Sequence, residues 1–327
     1  MLVEIIRNEE SINIDLPIYA KEKYLTCNGE SYGWFVSSNF VLPFVVYRIR
    51  KVFTHMIFTT EVLEINPSNI NEEREFLNEV VRIVKKEKMC DVIYKPQPSA
   101  VFRTYPDGSD FFEWGSYALD IEPTLEEMLK KMSSRRRSCI RKMVRDGVEV
   151  EEVEDLDEIF DMLYDTIKRQ GVSLLPNKNH LLNMKKHLYP KNMIMYKATF
   201  NGEIQGVSLI YFVEGGAAFY ELGGTASSPH QCSMSLLMLK GMLDLYHNHG
   251  VKTYDFVGAY INLKEGSKEA GIQNFKKRFG SYLRKGYQFT VVINPLNYKL
   301  YNIAVKSYFK IKGVDYVDAI DKAKNRY

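Results

Sequence analysis

In the run Gly271-Ile272-Gln273-Asn274-Phe275-Lys276-Lys277-Arg278-Phe279-Gly280, cations alternate with aromatics. Phe275 and Phe279 are four apart, so they share a helical face and would anchor it in a core, leaving Lys276 turned toward a crevice or solvent. A lysine beside a reacting carbonyl can stabilise the oxyanion that develops there, and an aromatic can stack on an adenine. As a bare spacing pattern, the run also reads as an ordinary amphipathic helix. A second cationic segment holds Lys130, Lys131, Arg135, Arg136, Arg137, Arg141, Lys142 and Arg145. Cations at such helical spacing form a stripe that attracts phosphates, whether of RNA, a nucleotide-sugar or a lipid head group. The plain alternative is a solvated face whose aliphatic stems cover the core.

Further polar candidates surround one expected crevice. Glu221 closes a strand and is placed to act as a general base, or is simply a carboxylate satisfied by neighbouring amides. Tyr220, Asp255 and Tyr260 fall at the same crevice, where Asp255 has the alternative task of orienting the loop after it. Lys276, Glu221 and Tyr260 are therefore the expected catalytic group. Phe275, Arg278, Tyr220, Asp255, Ser228, Gln231, Arg136, Arg137 and Arg141 are the expected donor and substrate contacts. His247 and His249 are two apart and point away from each other on a helix, so no metal is expected. The four cysteines are scattered without a CxxC pair, which argues against a disulfide scaffold or structural zinc.

These residues must be positioned by regular elements. Asp157 to Gln170 has apolar residues at Ile159, Phe160, Leu163, Tyr164 and Ile167, predicting a helix stopped at Gly171. Asn179 to Leu188 predicts a second helix. Strands Met193 to Phe200 and Ile204 to Val213 flank an Asn201-Gly202 hairpin turn, and Ala217 to Leu222 extends the meander. A crossover helix opens at Ser227-Ser228-Pro229 and closes at Gly250, followed by the strand Val251 to Val257. A short helix over Gly271 to Phe279 and a strand Tyr282 to Ile293 complete the half. A crossover helix makes its flanking strands parallel, and ligands favour the crevice at their carboxyl ends. That crevice would be lined by Glu221 to His230 and Asp255 to Asn262.

The first part repeats this order more faintly. Tyr32 to Val36, Val41 to Tyr47 and Val52 to Ile65 read as strands, Asn71 to Lys88 as a helix, Asp91 to Tyr94 and Tyr117 to Ile121 as strands, and Lys95 to Gly115 as a long loop. Residues 124 to 145 read as one helix, started by the Thr124–Glu127 capping box and stopped at Gly147. The expected layout is a first domain over 1–123, a basic linking helix over 124–147 and a second domain over 148–327, whose C-terminal helix packs back on the first.

At 327 residues, with 45% apolar and 26% charged residues and a formal net charge of +3, the chain is globular and large enough for two cores. Its longest apolar runs, Val41 to Tyr47 and Val207 to Val213, fall far short of the ~20 residues that span a bilayer. Acids and a base within Met1 to Arg7 leave no signal-peptide core, so a cytoplasmic location is expected.

Thr124 to Glu127 through Ser134-Arg135-Arg136-Arg137-Ser138-Cys139-Ile140-Arg141-Lys142 resembles the RRxxIRKA…GV helix of the FemABX-like aminoacyltransferases and the related FemAB-like acetyltransferases. Tyr254-Asp255-Phe256-Val257-Gly258 and Gly271 to Gly280 resemble that family's YDFxG and GxxxFKxxFG signatures. The resemblance implies an α/β fold with mixed sheets in two tandem GNAT-like (acyl-CoA N-acyltransferase-like) domains. It implies transfer of an aminoacyl or acyl group onto an amine of a cell-wall or surface-polysaccharide precursor. The co-substrate is then an acyl-CoA such as acetyl-CoA, or an aminoacyl-tRNA, with no metal. The acceptor is an anionic small molecule or a lipid-linked one, tRNA is a possible partner, and a transient contact with a membrane surface is compatible with this. In the aminoacyl members the Phe-Lys pair sits at the tRNA acceptor end, which carries over to Phe275 and Lys276. Two features depart from the family. The segment Pro229-His230-Gln231-Cys232-Ser233-Met234-Ser235 lacks the glycines of a GNAT pyrophosphate loop, and no coiled-coil insertion interrupts the second half. A different class of function also fits: a non-catalytic GNAT-like module that binds RNA or an anionic precursor.

Overall fold

The computed structural model describes residues 1–49, 52–170, 176–230, 232–263 and 266–311. Strand β1 (Glu4–Ile6) and helix α1 (Glu22–Asn28) lead into the antiparallel strands β2 (Ser31–Val36), β3 (Phe40–Ile49) and β4 (Phe53–Phe58), with β5 (Leu63–Glu64) folded onto β3. Helix α2 (Ile70–Lys86) opens at a capping box between Asn69 and Glu72 and buries Phe76, Leu77, Val80, Val81 and Val84, an apolar stripe at helical spacing. After β6 (Val92–Ile93) comes β7 (Asp110–Asp120), which starts inside the segment expected to be loop. Its period-two alternation, with Phe112 and Trp114 buried and Phe111 and Glu113 exposed, is a strand pattern that the surrounding Pro, Asp and Gly obscured.

The basic segment is two helices rather than one, α3 (Leu125–Lys131) and α4 (Ser134–Asp146). Met132 is extended, and the Ser133 side chain accepts from the Arg136 amide at 3.4 Å, a second N-cap that restarts the helix. Beyond β8 (Glu149–Glu152), helices α5 (Asp157–Arg169) and α6 (Lys178–Leu188) precede the meander β9 (Met193–Phe200), β10 (Glu203–Phe212) and β11 (Ala217–Thr225). Helix α7 (Ser233–His249) begins after, not at, the expected Ser227-Ser228-Pro229 start; Cys232, at a φ of 65°, is its N-cap. There follow β12 (Thr253–Asp255), β13 (Ala259–Tyr260), α8 (Lys268–Lys277), β14 (Tyr282–Val292) and α9 (Pro295–Ile311). The helix stop expected at Gly171 and the candidate Gln231 lie outside the described residues.

The chain divides into two compact units: Met1–Ser116, Gly258–Ala270 and the residues from Arg284 on form the first, and Tyr117–Val257 with Gly271–Leu283 the second. The segment 124–147 thus lies within the second unit, and α9 within the first. Both units have the same topology. In the first, β1, β2, β3 and β4 are successively antiparallel, α2 crosses over, β6 pairs parallel to β4, and β14 pairs antiparallel to β6. In the second, β8, β9, β10 and β11 are successively antiparallel, α7 crosses over, β12 pairs parallel to β11, and β7 pairs antiparallel to β12. The sixth strand of each unit is remote in sequence: β14 follows the second unit along the chain, while β7 precedes it. The expected mixed α/β class with a duplicated GNAT-like core is the fold that the chain adopts.

In the first unit, Phe35, Phe44, Phe58, Phe76, Phe102 and Phe289 build the core. Helix α9 is held there by Asp91, which accepts from the side chains of Asn294 and Asn297 at 3.1 and 2.9 Å, and by Tyr301, stacked 4.2 Å from Phe53. In the second unit, Cys139 of α4 and Cys232 are joined in a disulfide, with their Cα atoms 6.1 Å apart. This corrects the expectation from spacing: 93 residues separate the pair, and only the packing of α4 on α7 brings them together. Among the described residues, no helix is long and apolar enough to cross a membrane.

Candidate active site

The second unit opens where the ladder between its two parallel strands ends. Ala217, Ala218 and Phe219 of β11 pair with Thr253, Tyr254 and Asp255 of β12, after which β12 stops and β11 runs on to Thr225. On the other side of β11, Ile210 faces Tyr220 and Leu209 faces Leu222, so Glu221 is the extra residue of a β-bulge. A bulge bends its strand and re-aims a side chain, a device common beside active sites. Gly223 makes room here, because a Cβ at that position would lie 1.4 Å from the Tyr220 hydroxyl. Burial pushes the Tyr220 and Tyr254 hydroxyls up from the usual phenol range, and among the described residues the Tyr254 hydroxyl has no hydrogen-bond partner.

Lys276 reaches the end of β12. Val257, just past that strand, has a φ of 45°, a left-handed conformation that costs a β-branched residue on the order of 1–3 kcal/mol. The buried Asp255 carboxylate holds it there, accepting from the Val257 N–H at 2.7 Å. The Val257 carbonyl accepts a hydrogen bond from Lys276 Nζ. Lys276 is only 9% exposed, and burial lowers its ammonium to about 8 against the opposing pull of Asp255. Asp255 therefore both orients its loop and offsets part of the lysine's desolvation. Lys276 turns inward instead of to solvent, and Gly280, at a φ of 82°, ends the turn after α8 where a Cβ would meet the Lys131 carbonyl at 2.5 Å.

Arg136 is the second buried cation. Its guanidinium lies 4.6 and 5.0 Å from the ring centroids of Phe275 and Phe279 and donates to the Ser235 hydroxyl in the first turn of α7. Among the described residues no carboxylate pairs with it, and its Nε has no partner. Burial first, then Arg278 and Arg135, lower it to about 10. Phe275, Lys276, Arg136 and Asp255 thus belong to one unit, threaded by α4, β12 and α8.

Other expected contacts lie elsewhere. Arg278 is exposed. Arg137 donates to the Met132 carbonyl at 3.0 Å, and Arg141 pairs with Glu126 at 3.1 Å on the surface. The basic stripe is therefore split between one buried guanidinium and several solvated ones. Ser228 is exposed in the loop before α7. Tyr260 belongs to the first unit, edge-on to Trp114 at 4.9 Å. Sequence reasoning missed Ser235 and Val257. A serine in a helix and a valine at a strand end carry no signal, whereas the Tyr254-Asp255 signature did mark the strand that bears Asp255.

Residues 130–277 match the profile of the acetyltransferase (GNAT) domain, a span that includes Arg136, Glu221, Asp255 and Lys276. No curated protein matches the sequence. Among solved structures, the crystal structure of FemX is similar with a TM-score of 0.64 at 15% identity, covering 86% of this chain and 94% of that one. L-PGS from Bacillus licheniformis has a TM-score of 0.50 at 14% identity, covering 87% and 92%. At such identities the likeness speaks for the fold. Residues 130–277, somewhat under half of the chain, are similar to the acetyltransferase (GNAT) domain, and the chain as a whole has the fold of FemX, laid out as two units of the same topology.

Proposed function

We propose that this protein moves an acyl or aminoacyl group onto an amine of a cell-wall or surface-polysaccharide precursor in the cytoplasm, with Lys276 stabilising the oxyanion. The observation that carries this reading is the buried Lys276 ammonium at the carboxyl end of β12, where the β11–β12 ladder stops. The FemABX-like signatures at 134–142, 254–258 and 271–280 support the class of donor and acceptor.

In this reaction the acceptor nitrogen bonds to the carbonyl carbon of an ester or thioester, and negative charge collects on the carbonyl oxygen. Lys276 meets that charge from a desolvated position, where a fixed cation acts more strongly than in water. Collapse of the intermediate breaks the C–O or C–S bond; the amine gives up a proton, with Glu221 as the candidate acceptor, and the departing alkoxide or thiolate takes one up. Both donors carry phosphates, which Arg136 is suited to attract because no carboxylate among the described residues neutralises it. Titration of the purified protein with acetyl-CoA and with charged tRNA identifies the donor, and a transfer assay follows. Lys276→Ala should lower kcat by roughly 100-fold, the typical loss of one oxyanion donor, while the fold survives. Unchanged turnover in that variant removes Lys276 from the mechanism, and binding of neither donor sinks the reading.

A further inference from the structure

We propose that α9 is an interfacial helix that docks the first unit on an anionic lipid surface. One side of the helix is committed to the fold: Tyr298, Tyr301, Asn302, Val305 and Phe309 are half-buried, and Asp91 fastens its start. The opposite side carries Leu296, Leu300, Ile303 and Ile311, which are 69, 57, 55 and 87% exposed. At 100° per residue these four fall within about 80° of arc and extend about 22 Å along the axis. Lys299, Lys306 and Lys310 line one edge of that stripe, and no acid occurs between Pro295 and Ile311.

Single exposed apolar residues are ordinary, but a stripe of them rimmed by cations of one sign is the arrangement of a helix lying in a membrane interface. The rim favours lipid over an acidic protein surface. All three cations are lysines, whose flexible stems can reach up to head groups, and none is an arginine, whose planar fork suits carboxylate pairing. A chain docked this way would meet a lipid-linked acceptor at the membrane surface, but the docking itself does not depend on the proposed acyl transfer.

The test is co-sedimentation of the full chain with vesicles of phosphatidylcholine alone or mixed with phosphatidylglycerol, in the absence of donor and acceptor. Binding is expected to the mixed vesicles only. Each of Lys299→Gln, Lys306→Gln and Lys310→Gln should weaken it about fivefold, and Leu300→Glu with Ile303→Glu should remove it at unchanged thermal stability. No binding by the wild type, or equal binding by wild type and the glutamate variant, overturns the proposal. Light scattering of the lipid-free chain checks the rival occupant: a dimer that Leu300→Glu converts to monomer would assign the stripe to a second copy of the chain and overturn it as well.

Discussion

Lys276 sits in surroundings that oppose its own charge, and this has a consequence for stability with a definite sign. Its folded value is about 8, below the 10.5 of an unperturbed lysine. Below pH 8 both folded and unfolded chains carry the proton, so the full cost of the buried ammonium is present. Between pH 8 and 10.5 the folded chain loses the proton while the unfolded chain keeps it, so stability rises with pH in that window. The whole effect is at most about 3 kcal/mol. Lys276→Met should therefore raise the unfolding free energy near neutral pH, with the advantage over wild type shrinking as pH climbs toward 10.5, while kcat falls by roughly 100-fold as in Lys276→Ala. Denaturant titrations of both proteins across that range decide it. A stability difference that does not change with pH would remove the buried charge as its cause. The same logic applies to kcat, which should fall as pH rises through about 8 and the oxyanion loses its cationic partner.

At the scale of elements, the site depends on where helices and strands stop. The bulge at Glu221, the early end of β12 and the restart of the basic segment at Ser133 each interrupt regular structure, and the last two precede buried polar groups, Asp255 at the end of β12 and Arg136 in the first turn of α4. The Cys139–Cys232 bridge ties α4, which bears Arg136, to the start of α7, which bears Ser235. Titration of thiols in the denatured, unreduced protein should count Cys27 and Cys90 only, and all four cysteines after reduction. Four thiols before reduction would show the pair to be unbridged. Because the bridge closes a long loop, Cys232→Ser should lower the unfolding free energy by about 4.6 kcal/mol in the chain-entropy account.

For the whole molecule, the first unit is completed by a strand and a helix that the chain supplies last. Without β14 and α9, the two-residue β6 would be left as the edge of the first sheet, and Phe289 and Val291 would be missing from its core. A fragment of residues 1–123 should therefore give no cooperative melt by near-ultraviolet circular dichroism, and a sharp melt would show that the first 123 residues are a self-sufficient domain.

The elements legible from sequence alone are those whose stability is local. The amphipathic helix over 157–169, the Asn201-Gly202 hairpin and the three strands of the second meander all came within a few residues of their observed bounds, because periodicity and turn chemistry act over a few residues. The signature residues Asp255, Phe275 and Lys276 were legible as a set, though not the inward direction of Lys276. What only the tertiary structure decided is everything that joins distant parts of the chain. It closed each unit with a remote strand, paired cysteines 93 residues apart, selected Arg136 from eight neighbouring cations for burial, and assigned Tyr260 to the first unit. The physical reason is that burial and pairing are set by what packs against a residue, and the partner can lie anywhere in the chain, whereas helical and strand periods are written in each segment's own neighbours.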